Sequence, residues 1–386
     1  MNGDDYKNRM VLLPAEAGTL AGDNIYFFSS SYNLLYKVHM PDFSVSIVSH
    51  IPHKVVNAFE WFRKMRYWNG KLILIPSYAE EIWIYGLDTG KWESIALDYP
   101  QVILKFWGSL IYQDYAFLFG EKYPVILKVN LNDHSVSQIK IDDWPKRKES
   151  GKGLFFTNAV RVNHMAFSPV SISNQVLRFN LDTSEYEWNR VGDEGNQYSG
   201  IDWNGYDFWI SSGASGRIVK WNGNLKWEEF EVPKEIANRS YQFIGVICDE
   251  DKVKFLTQQD GKSVEIVNDN SCEVKLLMTK ATKRYIHLES YENGTIVLMQ
   301  SDAGTDVKWK GKWIKGICAI NYEEFKSYFC DRDLWNIPIT NGGRKETDIF
   351  RIDDFINIVA RQKENPDKCI VGKNKGINIW ETLKQF

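Results

Sequence analysis

The sequence predicts an all-β chain assembled from repeated four-stranded antiparallel sheets, and three observations carry that expectation. A hairpin grammar recurs about seven times between residues 20 and 330. Apolar residues alternate or run in fours to sixes, without the 3.6-residue spacing of amphipathic helices. Aromatic residues are abundant, 15 Trp, 19 Tyr and 21 Phe in 386 residues, as suits rings packed between sheets.

The stretch WNGKLILIPSYAEEIWIYGLDTGKWESI (68–95) spells the unit most fully. Asn69-Gly70 is a tight-turn dipeptide, followed by an apolar strand, a break at Pro76-Ser77 and a second apolar strand. Asp88-Thr89-Gly90 then turns the chain into a closing strand led by Trp92. Further copies begin at Asp23, Asp114, His164, Trp203 and Asp251, and a less regular one at Glu292. Their breaks include Phe119-Gly120, Ser211-Ser212 and Gln258-Gln259. Their Asx turns include Pro41-Asp42, Leu131-Asn132, Leu181-Asp182, Asn222-Gly223 and Asn268-Asp269. Another short strand precedes most copies, at 62–68, 103–112, 158–162, 198–203, 241–247 and 285–291, which makes four strands per unit.

Second strands starting near 24, 71, 114, 164, 206, 252 and 294 repeat every ~45 residues, the spacing of a β-propeller. The expected architecture is therefore a propeller of seven blades, or of six if 284–329 is a capping element. A ring must join its ends, and the otherwise unused run MVLLP (10–14) is expected to form the outermost strand of the last blade.

The order NGKLILI…IWIYGLDTGKW (69–92) resembles a Kelch-type propeller blade, with Tyr85 and Trp92 standing where such repeats carry a paired Tyr and Trp. Residues 181–188 and 221–227 offer weaker versions. The double glycine of that family is absent, its place reading Pro76-Ser77, Gly120-Glu121 or Ser211-Ser212. The resemblance implies a propeller and no particular activity.

The propeller is expected over 1–329, with a helical extension over 330–386 packed on it or docking a partner. In 347–362, Ile349, Ile352, Phe355, Ile356 and Val359 share one helical face behind an N-cap at Thr347 or Asp348. A second short helix is expected over 376–386, with Ile379, Trp380 and Leu383 on its apolar side.

A net charge of −3 with 25% charged residues supplies no general attraction to nucleic acid or anionic membrane. The acidic start lacks the pattern of a secretory signal, and no run reaches the ~18 apolar residues of a membrane span. Five scattered cysteines form no CxxC pair, so a cytoplasmic protein with reduced thiols is expected. P-loop, GxGxxG, HExxH and GxSxG motifs are missing. His50 and His53 stand three residues apart without a third ligand, so no metal is expected, and no cofactor. The basic run in 142–153 reads as a solvated loop.

Propellers bind at the channel mouth, where first strands converge. That geometry nominates Arg63, Lys105, Asn158, Arg161, Asp202, Gln242, His287 and Glu289. The expected function is a non-enzymatic scaffold recognising a protein partner or polar ligand, including a carbohydrate, at one rim. The alternative is a lyase or hydrolase acting on carbohydrate or a polar metabolite, with His287/Glu289 or Asp202 as acid and base.

Overall fold

The computed structural model describes residues 10–321, except 14, 31, 53–60, 124, 144–155, 214–215, 238–242, 250–251, 258–261, 269–270, 277–284, 292, 301–304 and 315. Two compact units are distinguished, one of Met1–Leu12, His53–Asn57 and Ala319–Phe386, the other of Leu13–Pro52 and Ala58–Cys318. The helices expected within 330–386 lie outside the described residues.

The larger unit is a seven-bladed β-propeller, each blade a four-stranded antiparallel sheet whose strands are consecutive in the chain. The first strands are Ala17–Ala21, Phe62–Trp68, Phe106–Tyr112, Val160–Val162, Tyr198–Trp203, Phe243–Asp249 and Tyr285–Ser290. Those of blades one and two, two and three, four and five, five and six, and six and seven are neighbours. That of blade seven lies against that of blade one, which closes the ring. Among the described residues the only helix is the single turn Lys234–Ala237.

Blade two shows why these sequences form these sheets. Its second strand buries Leu72, Ile73, Leu74 and Ile75, and its third buries Ile82, Trp83, Ile84 and Tyr85. Leu72, Leu74, Trp83 and Tyr85 pack towards Phe28 and Leu35 of blade one, while Ile73, Ile75, Ile82 and Ile84 pack towards Leu118 and Leu127 of blade three. Both faces of the middle strands are covered, so they read as continuous apolar runs and not as alternation. The fourth strand, Trp92–Ala96, is largely exposed. Tyr85 and Trp92 are cross-strand partners 4.8 Å apart, and the Trp92 indole donates to Ser49 Oγ of blade one at 2.9 Å. The pair thus closes an inter-blade seam.

Blade seven is complete in itself: Tyr285–Ser290, Ile296–Gln300, Thr305–Trp309 and Lys312–Ile314. Positive φ at both Lys310 (48°) and Gly311 (76°) makes a tight turn into its short fourth strand. The six-bladed alternative, with 284–329 as a cap, is thereby set aside. The run at 10–14 does not supply the outer strand of that blade. Met10–Leu12 pairs antiparallel with Ala319–Asn321 in a separate two-stranded ladder.

Candidate functional site

A one-residue slip between first and second strands recurs at the same place in six blades. It follows Phe62, Phe106, Tyr198, Phe243 and Tyr285. In blade four the isolated bridge of Phe156 to Val170, ahead of the pair Val160–Phe167, shows the same slip. Phe62, Phe106, Phe156, Tyr198 and Phe243 are buried, whereas the bulged residues Arg63, Trp107, Ser199 and Ile244 stay partly exposed. Bulges re-aim side chains and interrupt the ladder. Here they set a ring of side chains at the end of the inner strands where the channel opens.

One residue deeper, the blades diverge. Blades three, five and six carry Gly108, Gly200 and Gly245 at this register. A Cβ at Gly200 would stand 3.0 Å from Gly245 Cα, and one at Gly108 would stand 3.2 Å from the Asn158 carbonyl carbon. Inner strands therefore meet backbone to backbone on that side. Blades two and four carry Lys64 and Asn158 instead.

Lys64 Nζ lies 2.5 Å from Glu289 Oε1, and Arg66 Nη1 lies 2.9 Å from Glu289 Oε2. These bridges join blade two to blade seven past the small residues Ala17, Gly18 and Thr19 of blade one. Burial brings the Lys64 ammonium down to about 8, with Glu289 opposing the shift and Arg66 reinforcing it. Arg66 also donates from Nε and Nη2 to the Ser109 carbonyl of blade three, at 3.1 and 2.9 Å.

The same device recurs around the ring. Asn158 of blade four donates to the Ile201 carbonyl and accepts from the Ile201 amide of blade five, both at 3.0 Å. Asp202 of blade five accepts from the Cys248 amide of blade six at 2.8 Å and from the adjacent Trp203 amide at 2.9 Å. Burial raises the Asp202 carboxyl to about 6 against those two hydrogen bonds, and the Glu289 charge adds to the rise. At the far end of the inner strands, Asp249 of blade six pairs with Lys308 of blade seven and, at 3.5 Å, with Lys254.

Of the residues nominated from sequence, the structure brings Arg63, Asn158, Asp202 and Glu289 to the channel. Arg63 Nη1 holds Glu121 Oε2 at 2.7 Å, and its guanidinium lies 4.3 Å from the Trp107 ring centroid. Lys105 is not a funnel residue. Its side chain is fully buried and its Nζ donates to the Val102 carbonyl within the loop before blade three. Burial, opposed by Glu80, brings its ammonium down to about 8. Arg161 is exposed and bonds the Asn163 carbonyl at 3.1 Å beside the first hairpin turn, at the opposite end of its strand. Grouping by strand ignored position along the strand. Gln242 and the His287 side chain lie outside the description; the His287 backbone pairs with Met299.

Sequence reasoning missed Lys64, Arg66, Trp107, Glu121 and Thr157. The alternating cations of FRKMR and the recurring aromatic-x-Gly triplets at 106–108, 198–200 and 243–245 were available signals. His50 Nδ1 lies 3.2 Å from the Asn33 carbonyl oxygen, and His53 lies outside the described residues. Among the described residues no group of three or more His, Cys, Asp or Glu side chains is placed to hold a metal ion.

No protein-family model and no curated protein matches the sequence. Solved structures do resemble it. A streptogramin B lyase shares 12% identity over 75% of this chain and 93% of its own, with a TM-score of 0.60. YCF48 from Cyanidioschyzon merolae shares 12% over 76% of this chain and 95% of its own, at 0.54. The Neurospora crassa Pan2 WD40 domain shares 9% over 78% and 91%, at 0.53. These proteins differ in role, so the likeness establishes the fold alone: this chain is similar to them as a seven-bladed propeller.

Proposed function

We propose that the protein is a non-enzymatic β-propeller binding module that recognises a protein partner or polar ligand at one rim, where the inner-strand bulges open the channel. The observation that carries this reading is the saturation of the acid and base candidates. Glu289 is held by Lys64 and Arg66, Asp202 by two backbone amides, and Asn158 by the Ile201 backbone. A general acid or base needs a proton-transfer path to a substrate atom, and these groups spend their lone pairs and protons on joining blades. Free thiols at Cys248 and Cys318 support placing the protein in the cytoplasm.

An enzyme acting on a carbohydrate or polar metabolite is the second reading. It is favoured by the opposite shifts of Asp202, to about 6, and Lys64, to about 8, within one channel. Equilibrating the intact protein with its native extract and analysing both bound and unbound compounds by mass spectrometry separates the two. The binding reading expects an enriched compound or protein recovered chemically unchanged. A compound consumed in proportion to protein and time contradicts it.

A further inference from the structure

Trp107 is the bulged residue of blade three and remains partly exposed. The Arg63 guanidinium, bulged in blade two, lies 4.3 Å from its ring centroid, and Glu121 fixes that guanidinium at 2.7 Å. Donor and acceptor thus stand side by side, their charges cancelling, next to an aromatic plate whose position is set in advance.

Two buried hydroxyls border this arrangement. Thr157 occupies the bulge region of blade four, and Ser77 follows the second strand of blade two. The Thr157 and Ser77 hydroxyl oxygens have no hydrogen-bond partner among the described residues. Backbone bonds tie both to the Arg63–Glu121 pair. The Lys105 amide donates to the Ser77 carbonyl at 3.0 Å, and the Glu121 amide to the Lys105 carbonyl at 2.7 Å. The Phe156 amide donates to the Gly120 carbonyl at 3.2 Å. Buried hydroxyls in folded proteins take a bond from water or a bound group. One layer deeper, Gly108 abuts the Asn158–Ala159 backbone, and Lys64 meets Glu289.

We infer that this end of the channel, over blades two to four, is a saccharide-binding site. The C–H face of a pyranose, edged by partly positive hydrogens, complements the negative face of the Trp107 ring. Adjacent sugar hydroxyls each donate and accept, and so match Arg63 and Glu121 together. The Thr157 hydroxyl takes a third. A neutral ring with one apolar face and a polar edge uses all of these groups. A phosphate would meet the Glu121 carboxylate, and a purely apolar ligand would leave the hydroxyls unpaired. This inference rests on the binding reading above and supplies its ligand class.

The test is to screen the intact protein on an array of neutral oligosaccharides built from glucose, galactose, mannose, xylose and N-acetylglucosamine, then to titrate any hit by calorimetry. Trp107→Ala is expected to weaken binding by at least ~10-fold and Thr157→Val by roughly 3–10-fold. Both variants should melt within a few degrees of the parent. Arrays that stay blank overturn the saccharide site, as does a hit whose affinity neither substitution changes. The two readings fail separately. A blank array with a protein partner lost on Trp107→Ala overturns the saccharide and leaves the binding module. A saccharide bound and cleaved upholds the site and overturns the non-enzymatic reading.

Discussion

Between blades five and six the inner strands touch through Gly200 and Gly245, whereas between blades seven and two the distance is spanned by Glu289 reaching Lys64 and Arg66. Both arcs use the same register, the residue after the bulge and the one two places on. Where that register holds glycine, backbone meets backbone, and one carboxylate, Asp202, ties the seam through the Cys248 amide. Where it holds charge, blade one contributes only Ala17, Gly18 and Thr19, and ion pairs bridge past it. Ring closure therefore follows from matching side-chain reach to local backbone spacing, and the charges at the centre of this propeller serve architecture first.

The largest effect is expected on the charged arc. Glu289→Ala leaves two largely buried cations without their carboxylate, and removing one partner of a buried pair costs about 3–5 kcal/mol. Urea denaturation at pH 7 measures it; a loss below about 1 kcal/mol would mean that the bridge is solvated and structurally idle. On the glycine arc, Gly200→Val forces side-chain atoms against Gly245 and should cost about 2–3 kcal/mol, mostly by overpacking. The same substitution at Gly213, where the nearest atoms to an added Cβ are 3.8 Å away, should cost far less.

Asp202 joins the arcs electrostatically, because the Glu289 charge contributes to its raised carboxyl. Its folded value of about 6 exceeds the ordinary 3.8, so the native state binds the extra proton between those values. This contribution to stability is present below pH 4 and is lost as pH rises through 6. The stability of Asp202→Asn relative to the parent should therefore shift by about 3 kcal/mol in the variant's favour between pH 3.5 and 7.5. Paired urea titrations across that window check it. A flat difference would mean that the carboxyl is not raised.

The smallest effect lies in the outer turns. Gly90, His134, Ser184 and Phe43 occupy one turn position with φ between 60° and 65°, and each amide bonds the carbonyl four residues back. Only the first is glycine. Ser184→Gly should raise stability by up to about 1 kcal/mol, read as a small rise in melting temperature. Gly90→Ala should lower it by a similar amount.

The blades were legible because turn chemistry and strand length are local. Asn69-Gly70 and the Asp88-Thr89-Gly90 turn announced their hairpins, and apolar runs such as KLILI announced strands covered on both faces. The channel was legible only in part. Asn158, Asp202 and Glu289 lie where strand grouping put them, but which side chain reaches which neighbouring blade depends on a one-residue bulge, and a slip of one residue exchanges faces. Lys64 and Arg66 flank Met65 on an inner strand, and their partner Glu289 is more than two hundred residues away; no local pattern announces such a pair. Lys310-Gly311 was overlooked as a turn, and so the last blade was expected to borrow a strand from 10–14.

The central claim is that the channel charges clasp blades while recognition takes place at the bulged mouth. A double-mutant cycle of Lys64→Met and Glu289→Gln, followed by urea denaturation at pH 7, tests the clasp without knowledge of any ligand. Structural pairing predicts a favourable coupling energy above about 2 kcal/mol. A coupling below about 0.5 kcal/mol would contradict the account and return Lys64 and Glu289 to the pool of residues free for catalysis.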